Sequence, residues 1–485
     1  MATALPSLVG ERFVDRQEET SLVEERIRMI QSGGSVFQAV INFYGVVGIG
    51  KTFLLMELER RVRKRELPCT LVDLAETGTE AASLSAAQVG LLEKAALGFG
   101  DLRQFFSFED IDDFEREEPS DEQVRKRVQV FLASLKRVVK EHGAPAVLFF
   151  DTLDQANKEL VDWVEEAIIG PLLRTDQALV IVASRAPHRW KRFEVRRRAQ
   201  QERLEPFDAK TTRAQLPSEY GPLASEIVHL TRGHPFGNVK VVKSVQGIEQ
   251  EEGHALKSTQ FEHYQRRLIQ ELVDNLVEDV VMEDVSPEIC RAYRVVALAR
   301  HFDVNVLRRL LTTFVKDPFA DKSAAYFLGV VGKMVKTTLV EWSSARRGYM
   351  LDQTIRWMLA LNMKLNAEDR YKRIQWELIE LYDDWIERVP ENRSGFIIER
   401  LYHEACLRSV RGESAQEIAD QLSELLKECL SQYYAIAQGT REVPLGLTML
   451  KEGLDKDDDL ERLLTPKHLD ALVQMIEQVV VRDYQ

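Results

Sequence analysis

The stretch Gly45-Val46-Val47-Gly48-Ile49-Gly50-Lys51-Thr52 fits the pattern G-x-x-x-x-G-K-[ST] at every position. It follows an apolar run over 36–44, typical of a strand buried in a parallel sheet, and it precedes helical periodicity over 53–66. Glycines in such a turn let successive backbone N–H groups face a phosphate, and the helix that follows offers its positive end to the same anion. We therefore expect this loop, the P-loop, to bind ATP or GTP, with Lys51 on the β- and γ-phosphates and Thr52 on Mg²⁺. An ordinary glycine-rich turn is the less favoured alternative.

Acidic and basic side chains end two further apolar runs. The run 147–150 ends in Asp151, a Walker B arrangement, which we expect to lie beside the P-loop because ligands collect at the carboxyl ends of parallel strands. Asp154 is a candidate to orient or activate the attacking water, with a helix N-cap as the alternative. Arg185 follows the run 179–183 and is expected near the γ-phosphate, with a surface ion pair as the alternative.

The order of the segments predicts the architecture. Strands alternate with helices up to about residue 204, which indicates an α/β P-loop NTPase core with a parallel sheet and helices on both faces. Within it, the charged segment 108–123 predicts a mobile excursion, and the basic segment 188–203 indicates a solvated helical face, with a trans-acting arginine as the alternative. The rest is helical except for two extended runs, 337–342 and 348–351, which predict a β-hairpin. The acidic segment 451–459 predicts a flexible connection.

The overall composition narrows the class of protein. Lys and Arg number 65 against 78 Asp and Glu, giving a formal charge of −13, which does not favour coating of nucleic acid by the net field. The four cysteines stand far apart and form no C-x-x-C pair, so neither a zinc site nor a disulfide framework is expected. No signal peptide or membrane span is indicated at the level of the sequence, and a cytoplasmic location is the simplest expectation.

Together these motifs resemble the STAND class of signal-transduction P-loop ATPases, which are related to AAA+ proteins. Residues 11–18 look like the Phe-Val-Gly-Arg-Glu motif of that class, with Asp and Gln replacing the usual Gly and Glu. The segment 151–155 is similar to the Walker B motif of the NACHT branch, with Gln155 in place of the last acid. Gly233-His234-Pro235 matches the Gly-x-Pro element of the helical lid, and 285–362 looks like a winged-helix domain. The start of a helix at Pro235 is the plainer alternative for that element.

The resemblance implies a site and a set of domains. It implies that His234 contacts the β-phosphate, that Pro235 packs on the base, and that Val14 and Arg16 line the nucleotide pocket. The expected nucleotide contacts are Val14, Arg16, Gly45, Gly48, Ile49, Gly50, Lys51, Thr52, Phe53, His234 and Pro235. The expected catalytic residues are Lys51, Asp151, Asp154 and Arg185, with Thr52 and Asp151 on the metal. The expected domains are the ATPase core at 1–204, the lid at 205–284, the winged helix at 285–362 and a C-terminal all-α bundle at 363–485.

Three functions fit these features. The first is a slow ATPase that acts as a STAND-type switch, closed with ADP and open with ATP, and that forms a homo-oligomer on activation. Its protein partner would be a separate sensor or effector, and the family association points to bacterial regulation or antiphage defence. The second is an AAA+-like ATPase that holds DNA through its winged helix, with Arg346 and Arg347 in the wing. The third is an adaptor whose nucleotide is structural, which the replacement by Gln155 favours. DNA is the less favoured partner, and no membrane partner is expected.

Overall fold

The computed structural model describes residues 13–14, 16–32, 36–80, 83–100, 105–106, 119–174, 178–433 and 445–484. The chain divides into two compact units, Met1–Ser258 and Thr259–Gln485. Residues 108–118 of the segment predicted to be a mobile excursion, 108–123, lie outside the described residues. In the part of the chain that the structure describes, no helix combines the length and the apolar character needed to cross a bilayer.

A five-stranded parallel sheet forms the centre of the first unit. Its strands are β1 (Val40–Tyr44), β2 (Cys69–Asp73), β3 (Ala146–Asp151), β4 (Ala178–Ser184) and β5 (Ala199–Arg203), in the spatial order β2-β3-β4-β1-β5. Every residue of β3 and β4 is buried, because helices cover both faces of the sheet and leave no solvated side for polar residues. The predicted α/β P-loop NTPase core is therefore confirmed.

Helices of the first unit surround this sheet and continue beyond it. They are α1 (Gln17–Gln31), α2 (Lys51–Lys64), α3 (Leu74–Glu80), α4 (Leu84–Gly98), α5 (Asp121–His142), α6 (Lys158–Trp163), α7 (Gly170–Leu173), α8 (Phe193–Arg196), α9 (Ala209–Gln215), α10 (Ala224–Thr231) and α11 (Pro235–Glu252). A π-helical stretch, Val164–Ile169, joins α6 to α7, and a 3₁₀ stretch, Ser218–Leu223, precedes α10. The start of α5 is fixed by a capping box between Ser120 and Gln123.

The interpretation of the basic segment 188–203 as a solvated helical face is wrong. Only Phe193–Arg196 is helical, and Ala199–Arg203 forms β5, which pairs with β1 along its whole length. The reason lies in the neighbouring strand: the amide of the fully buried Asn42 donates to Gln201 at 2.6 Å, and the Asn42 oxygen accepts from Ser184 at 3.0 Å. A polar edge strand is thus held by its pairing with β1 and by one buried amide.

The second unit contains a hairpin where the sequence predicts one, and helices precede it. It begins with α12 (Ser258–Leu272) and a π-helical stretch (Val273–Val281), followed by α13 (Pro287–Val296), α14 (Val304–Phe314) and α15 (Ala324–Lys336). The strands β6 (Val340–Ser343) and β7 (Gly348–Leu351) then pair in antiparallel fashion, as the sequence predicts. This order of three helices and a hairpin is a winged-helix-like arrangement.

Seven further α-helices and a short 3₁₀ turn complete the described part of the second unit. They are α16 (Gln353–Asn366), α17 (Glu368–Arg388), the 3₁₀ turn Pro390–Asn392, α18 (Arg393–Val410), α19 (Ala415–Tyr433), α20 (Leu445–Asp455), α21 (Asp458–Leu463) and α22 (Pro466–Tyr484). Their core is aliphatic, with Ile397, Leu401, Leu422 and Leu472 fully buried. The division of the chain into four domains stays a prediction.

An ion cluster lies buried in the second unit. The guanidinium of Arg300, only 1% exposed, makes two hydrogen bonds to Glu399 at 2.8 and 3.0 Å and lies 2.5 Å from a carboxylate oxygen of Asp457. The ring of Tyr402 lies 4.2 Å from its central carbon. Glu399 keeps a pKa far below its ordinary value: burial opposes the charged form, but Arg300 overcomes it.

This cluster corrects the prediction of a flexible connection over 451–459. The segment contains the end of α20 and the start of α21, and Asp457 between them is 3% exposed. Its carboxylate caps α21 at the backbone N–H of Leu460 and pairs with Arg300. Two residues on, Asp459 pairs with the buried Arg356 at 2.6 Å. Acidic residues that suggest a solvated linker are here the counterions of buried arginines.

Candidate functional site

The P-loop runs from the end of β1 to the start of α2. Gly50 precedes α2 with φ at 101°, and Gly48 has φ at 81°, a region that only glycine enters without steric cost. Space as well as φ requires glycine at position 48, because a Cβ there would lie 2.8 Å from the ring of His234. The glycine spacing that defines the motif therefore matches the backbone that the loop adopts.

Lys51 lies at the centre of the charges around the loop. Its ammonium donates to the carbonyls of Gly45 at 2.7 Å and Val46 at 3.0 Å. Burial lowers its pKa to about 8; Asp154 and Asp151 oppose that shift, and Arg185 adds to it. The structure thus places the other three predicted catalytic side chains, Asp151, Asp154 and Arg185, close enough to Lys51 to affect its pKa.

Asp151 and Thr52 place two hard oxygen atoms side by side. The Thr52 side chain hydrogen-bonds to the Asp151 carboxylate, which also accepts from the backbone N–H of Thr152 at 2.8 Å. Burial raises the pKa of Asp151, and the two threonine hydrogen bonds work in the opposite direction. A hydroxyl and a carboxylate placed in this way suit Mg²⁺, which takes few protein ligands and completes its shell with water and phosphate oxygens.

Asp73 is a further carboxylate in this part of the molecule, and the motif analysis missed it. It ends β2 directly beside Asp151, its partner in the parallel register, and it contributes to the raised pKa of Asp151. Its carboxylate accepts from the Thr152 hydroxyl at 2.5 Å and from the backbone N–H of Ala75 at 2.9 Å. The sequence carries a signal for it, since Leu71-Val72-Asp73 is also an apolar strand that ends in Asp.

Asp154 and Arg185 form one unit between the ends of β3 and β4. One carboxylate oxygen of Asp154 accepts from the backbone N–H of Arg185 at 2.7 Å, and the other lies 3.6 Å from the guanidinium. The Gln155 amide oxygen faces the same guanidinium at 2.7 Å when the amide is oriented to accept. The alternative in which Asp154 caps a helix is wrong, because Asn157 caps α6. The ion pair that was the alternative for Arg185 is present. Contact between Arg185 and a γ-phosphate stays a prediction.

His234 and the start of α11 touch the P-loop directly. Nδ1 of His234 accepts from the backbone N–H of Gly237 at 3.0 Å, so Nε2 carries the proton and donates to the carbonyl of Val47 at 2.9 Å. The backbone N–H of Phe236 donates to the Gly48 carbonyl at 3.3 Å. The imidazole is fully buried, which lowers its pKa to about 4 and keeps it neutral. The helix start predicted as the plainer alternative at Pro235 is present as well.

Arg16 supports the loop from the other side. It is 8% exposed, and its guanidinium donates to the carbonyls of Ile49 at 3.0 Å and Glu205 at 2.8 Å while lying over the ring of Phe207. These contacts position the P-loop backbone against the exit from β5. Val14, two residues before Arg16 in the sequence, is half-buried. Phe53 on α2 is 42% exposed. Direct nucleotide contacts by these residues stay predictions.

The sheet order, the P-loop between β1 and α2, and the carboxylate at the end of β3 define a P-loop NTPase core. No protein-family model and no curated protein matches the sequence.

The chain also matches solved structures at low sequence identity, and three of them are as follows. Cdc6p from Pyrobaculum aerophilum has a TM-score of 0.39 and 12% identity, over 75% of this chain and 97% of that one. The ORC1 protein of Aeropyrum pernix, solved with DNA, has a TM-score of 0.37 and 13% identity, over 75% and 96%. The RuvB branch migration motor of Thermotoga maritima has a TM-score of 0.36 and 13% identity, over 71% and 96%.

Proposed function

We propose that this chain is an ATP-binding switch of the STAND type, in which the state of the P-loop is passed to α11 through His234. The observation that supports it is the pair of hydrogen bonds from His234 and Phe236 to successive P-loop carbonyls, Val47 and Gly48. A phosphate that reorients these peptides changes the two contacts, so that two nucleotides with different loop contacts favour different positions of the helix.

The remaining parts have defined tasks in this proposal. Lys51 neutralises phosphate charge, and Thr52 and Asp151 hold Mg²⁺, which supplies electrostatic stabilisation of the transferred phosphoryl group. Asp154 orients the attacking water, while Arg185 and Gln155 hold the Asp154 carboxylate in place. Because one Asp154 oxygen is already bound to the Arg185 backbone, hydrolysis is slow. Bound ATP therefore persists long enough to define a state of the switch.

Binding is tested first, with nucleotide extraction and chromatography on the purified full chain. Wild type is expected to carry ADP or ATP, and Lys51→Ala to lose it. Lys64→Ala is the matched control, since Lys64 lies exposed at the other end of the same helix. Unchanged nucleotide content in Lys51→Ala would exclude the proposal.

Switching is tested by hydrogen exchange of the α11 peptides with ADP and with a non-hydrolysable ATP analogue. The two nucleotides are expected to give different protection in wild type. In His234→Ala the difference disappears while both nucleotides still bind. Mass photometry of the same samples checks assembly, and equal α11 protection with both nucleotides in wild type would rule out the coupling.

The second candidate is a DNA-associated ATPase of the AAA+ type, which the winged-helix-like arrangement supports. The contacts of the hairpin favour the switch instead: Arg346 lies 3.3 Å from Glu399, and Arg347 donates to Asn392 at 2.9 Å. Both wing arginines are therefore engaged by their own unit. A mobility shift with duplex DNA at low salt, together with DNA-stimulated turnover, would select this candidate.

A further inference from the structure

A groove in the second unit lies where the end of α14 meets the start of α17. Its volume is about 520 Å³, which is in the range of small-molecule sites. The residues that matter for its chemistry are Lys316, Arg370, Arg373 and Trp376. None of them belongs to the P-loop site, which lies in the other unit.

The positive charges of this groove are not neutralised. No carboxylate of the described residues forms an ion pair with Lys316, Arg370 or Arg373, whereas the buried Arg300 and Arg356 and the half-buried Arg400 each have one. The guanidinium of Arg370 is fixed by its hydrogen bond to the Phe314 carbonyl at 3.1 Å. Burial, and then the nearby charges of Arg373 and Arg294, lower the pKa of Arg370. An anion placed here would relieve this repulsion.

The acidic residues at the groove do not remove that charge. Glu377 is paired with Arg309, which lies on α14, and so it is already used. Glu380 borders the groove one turn beyond Trp376 and remains exposed. The positive part of the groove is thus its Arg370 end, and the opposite end is acidic.

Trp376 adds a flat apolar surface to the charged groove. The spacing of 370, 373 and 376 places the three side chains on one face of α17. The indole is 47% exposed, and the guanidinium of Arg411 lies 6.0 Å from its centroid, which supports the ring from one side. A ring with one supported face and one open face is a stacking platform for a second planar group.

We propose that this groove binds a nucleotide, with its phosphate on Arg370, Arg373 and Lys316 and its base stacked on Trp376. Arginines recognise phosphate through paired hydrogen bonds, and tryptophan stacks on any base without sequence preference. An acidic peptide would use the arginines but would have no use for the exposed indole. The ligand is either a free mononucleotide or a nucleotide within a single strand, since both carry the same phosphate and base.

The test uses the full chain and a fluorescent single-stranded oligonucleotide of about ten nucleotides with a 5′-hydroxyl end, a length within the usual site sizes. All measurements are repeated in the Lys51→Ala chain, so that the P-loop does not contribute. Arg373→Glu and Trp376→Ala are each expected to weaken binding about tenfold or more. Arg388→Glu is the matched control: it makes the same charge change on the same helix and is expected to change affinity less than about twofold.

Competition distinguishes the sources of the ligand. If AMP displaces the labelled strand at concentrations similar to those of the unlabelled strand, the ligand is a free nucleotide. If only the unlabelled strand displaces it, the ligand is a nucleic-acid segment. Both results support the groove as a nucleotide site. The slope of log affinity against log salt concentration is expected to decrease by about one in Arg373→Glu, which loses a phosphate contact, but not in Trp376→Ala. Circular dichroism confirms that each variant is folded.

Three results would overturn the proposal. The first is no binding of either ligand at low salt. The second is equal loss in Arg388→Glu and Arg373→Glu, which would indicate non-specific charge. The third is tight binding of a poly-glutamate peptide that Arg373→Glu abolishes and Trp376→Ala leaves unchanged, which would identify the groove as a site for acidic proteins.

Discussion

Replacing Arg300 by Met tests what the buried ion cluster contributes to the second unit. Arg300, Glu399 and Asp457 are each 3% exposed or less. Without the guanidinium, the carboxylates of Glu399 and Asp457 remain buried. Arg346 contacts only Glu399, at 3.3 Å, and does not replace Arg300. Removing one partner of a buried pair costs about 3–5 kcal/mol, whereas an exposed pair contributes at most about 1 kcal/mol.

The effect is measured by hydrogen exchange of the full chain, because peptides from α18 report on the second unit and peptides from β3 report on the first. At about 1.4 kcal/mol per factor of ten, the slowest amides of α18 are expected to exchange about two to nearly four orders of magnitude faster. Protection in β3 is expected to stay the same. Arg388→Met is the control, since its pair with Asp384 is mostly exposed.

A second variant separates lost charge balance from lost packing. Arg300→Met combined with Glu399→Gln and Asp457→Asn removes the uncompensated charges and is expected to recover most of the protection. If Arg300→Met alone changes α18 no more than Arg388→Met does, the cluster is not what stabilises this unit, and the reasoning is refuted.

Three further predictions concern the P-loop side of the molecule. Gly48→Ala is expected to lower the free energy of unfolding in urea by about 1–3 kcal/mol, because φ is 81° and the new Cβ would lie 2.8 Å from His234. Gly247→Ala in α11, where a Cβ meets nothing within 4 Å, is expected to raise the free energy of unfolding by about 0.5–1 kcal/mol. A change of the same sign in both variants would contradict the argument. Since the pKa of His234 falls from 6.5 to about 4 on folding, the stability from its neutral form is complete above pH 6.5 and is lost as the pH falls towards 4. His234→Gln is therefore expected to reduce the slope of unfolding free energy against pH in this window by up to about 1.4 kcal/mol per unit, and an unchanged slope would show that the imidazole is not buried neutral. Asp73→Asn is expected to lower ATPase activity or Mg²⁺ affinity about 10- to 100-fold, as loss of a side chain that orients a metal ligand does, whereas Glu76→Gln on α3 leaves both unchanged.

The sheet could be predicted from sequence because its signals are local. The run 147–150 is apolar throughout and is followed directly by Asp151, which is the last residue of β3. The strand β5 was missed for the opposite reason. Its residues are polar, and what makes it a strand is pairing with β1 and the amide of Asn42, which lies 159 residues away. Propensity carries no information about such a partner.

The same distinction applies to the charged residues. The P-loop and Asp151 have motifs because their chemistry fixes the spacing along the chain. Asp457 has none, since its partner Arg300 is 157 residues away, and an acidic segment before a helix reads as a solvated linker. His234 was predicted on family resemblance as a phosphate contact. Its hydrogen bond to the Val47 carbonyl depends on how α11 meets the loop, which no local pattern encodes.

The long separation within the ion cluster also matters during synthesis on the ribosome. At about 5–20 residues per second, the 157 residues between Arg300 and Asp457 take about 8–30 seconds to translate. For most of that interval Arg300 has neither carboxylate, since Glu399 lies 99 residues on, and it lacks Asp457 throughout, so the complete ion cluster cannot form. The winged-helix-like segment is therefore expected to leave the ribosome before it reaches its final stability, and a chaperone that binds nascent chains has its longest opportunity there.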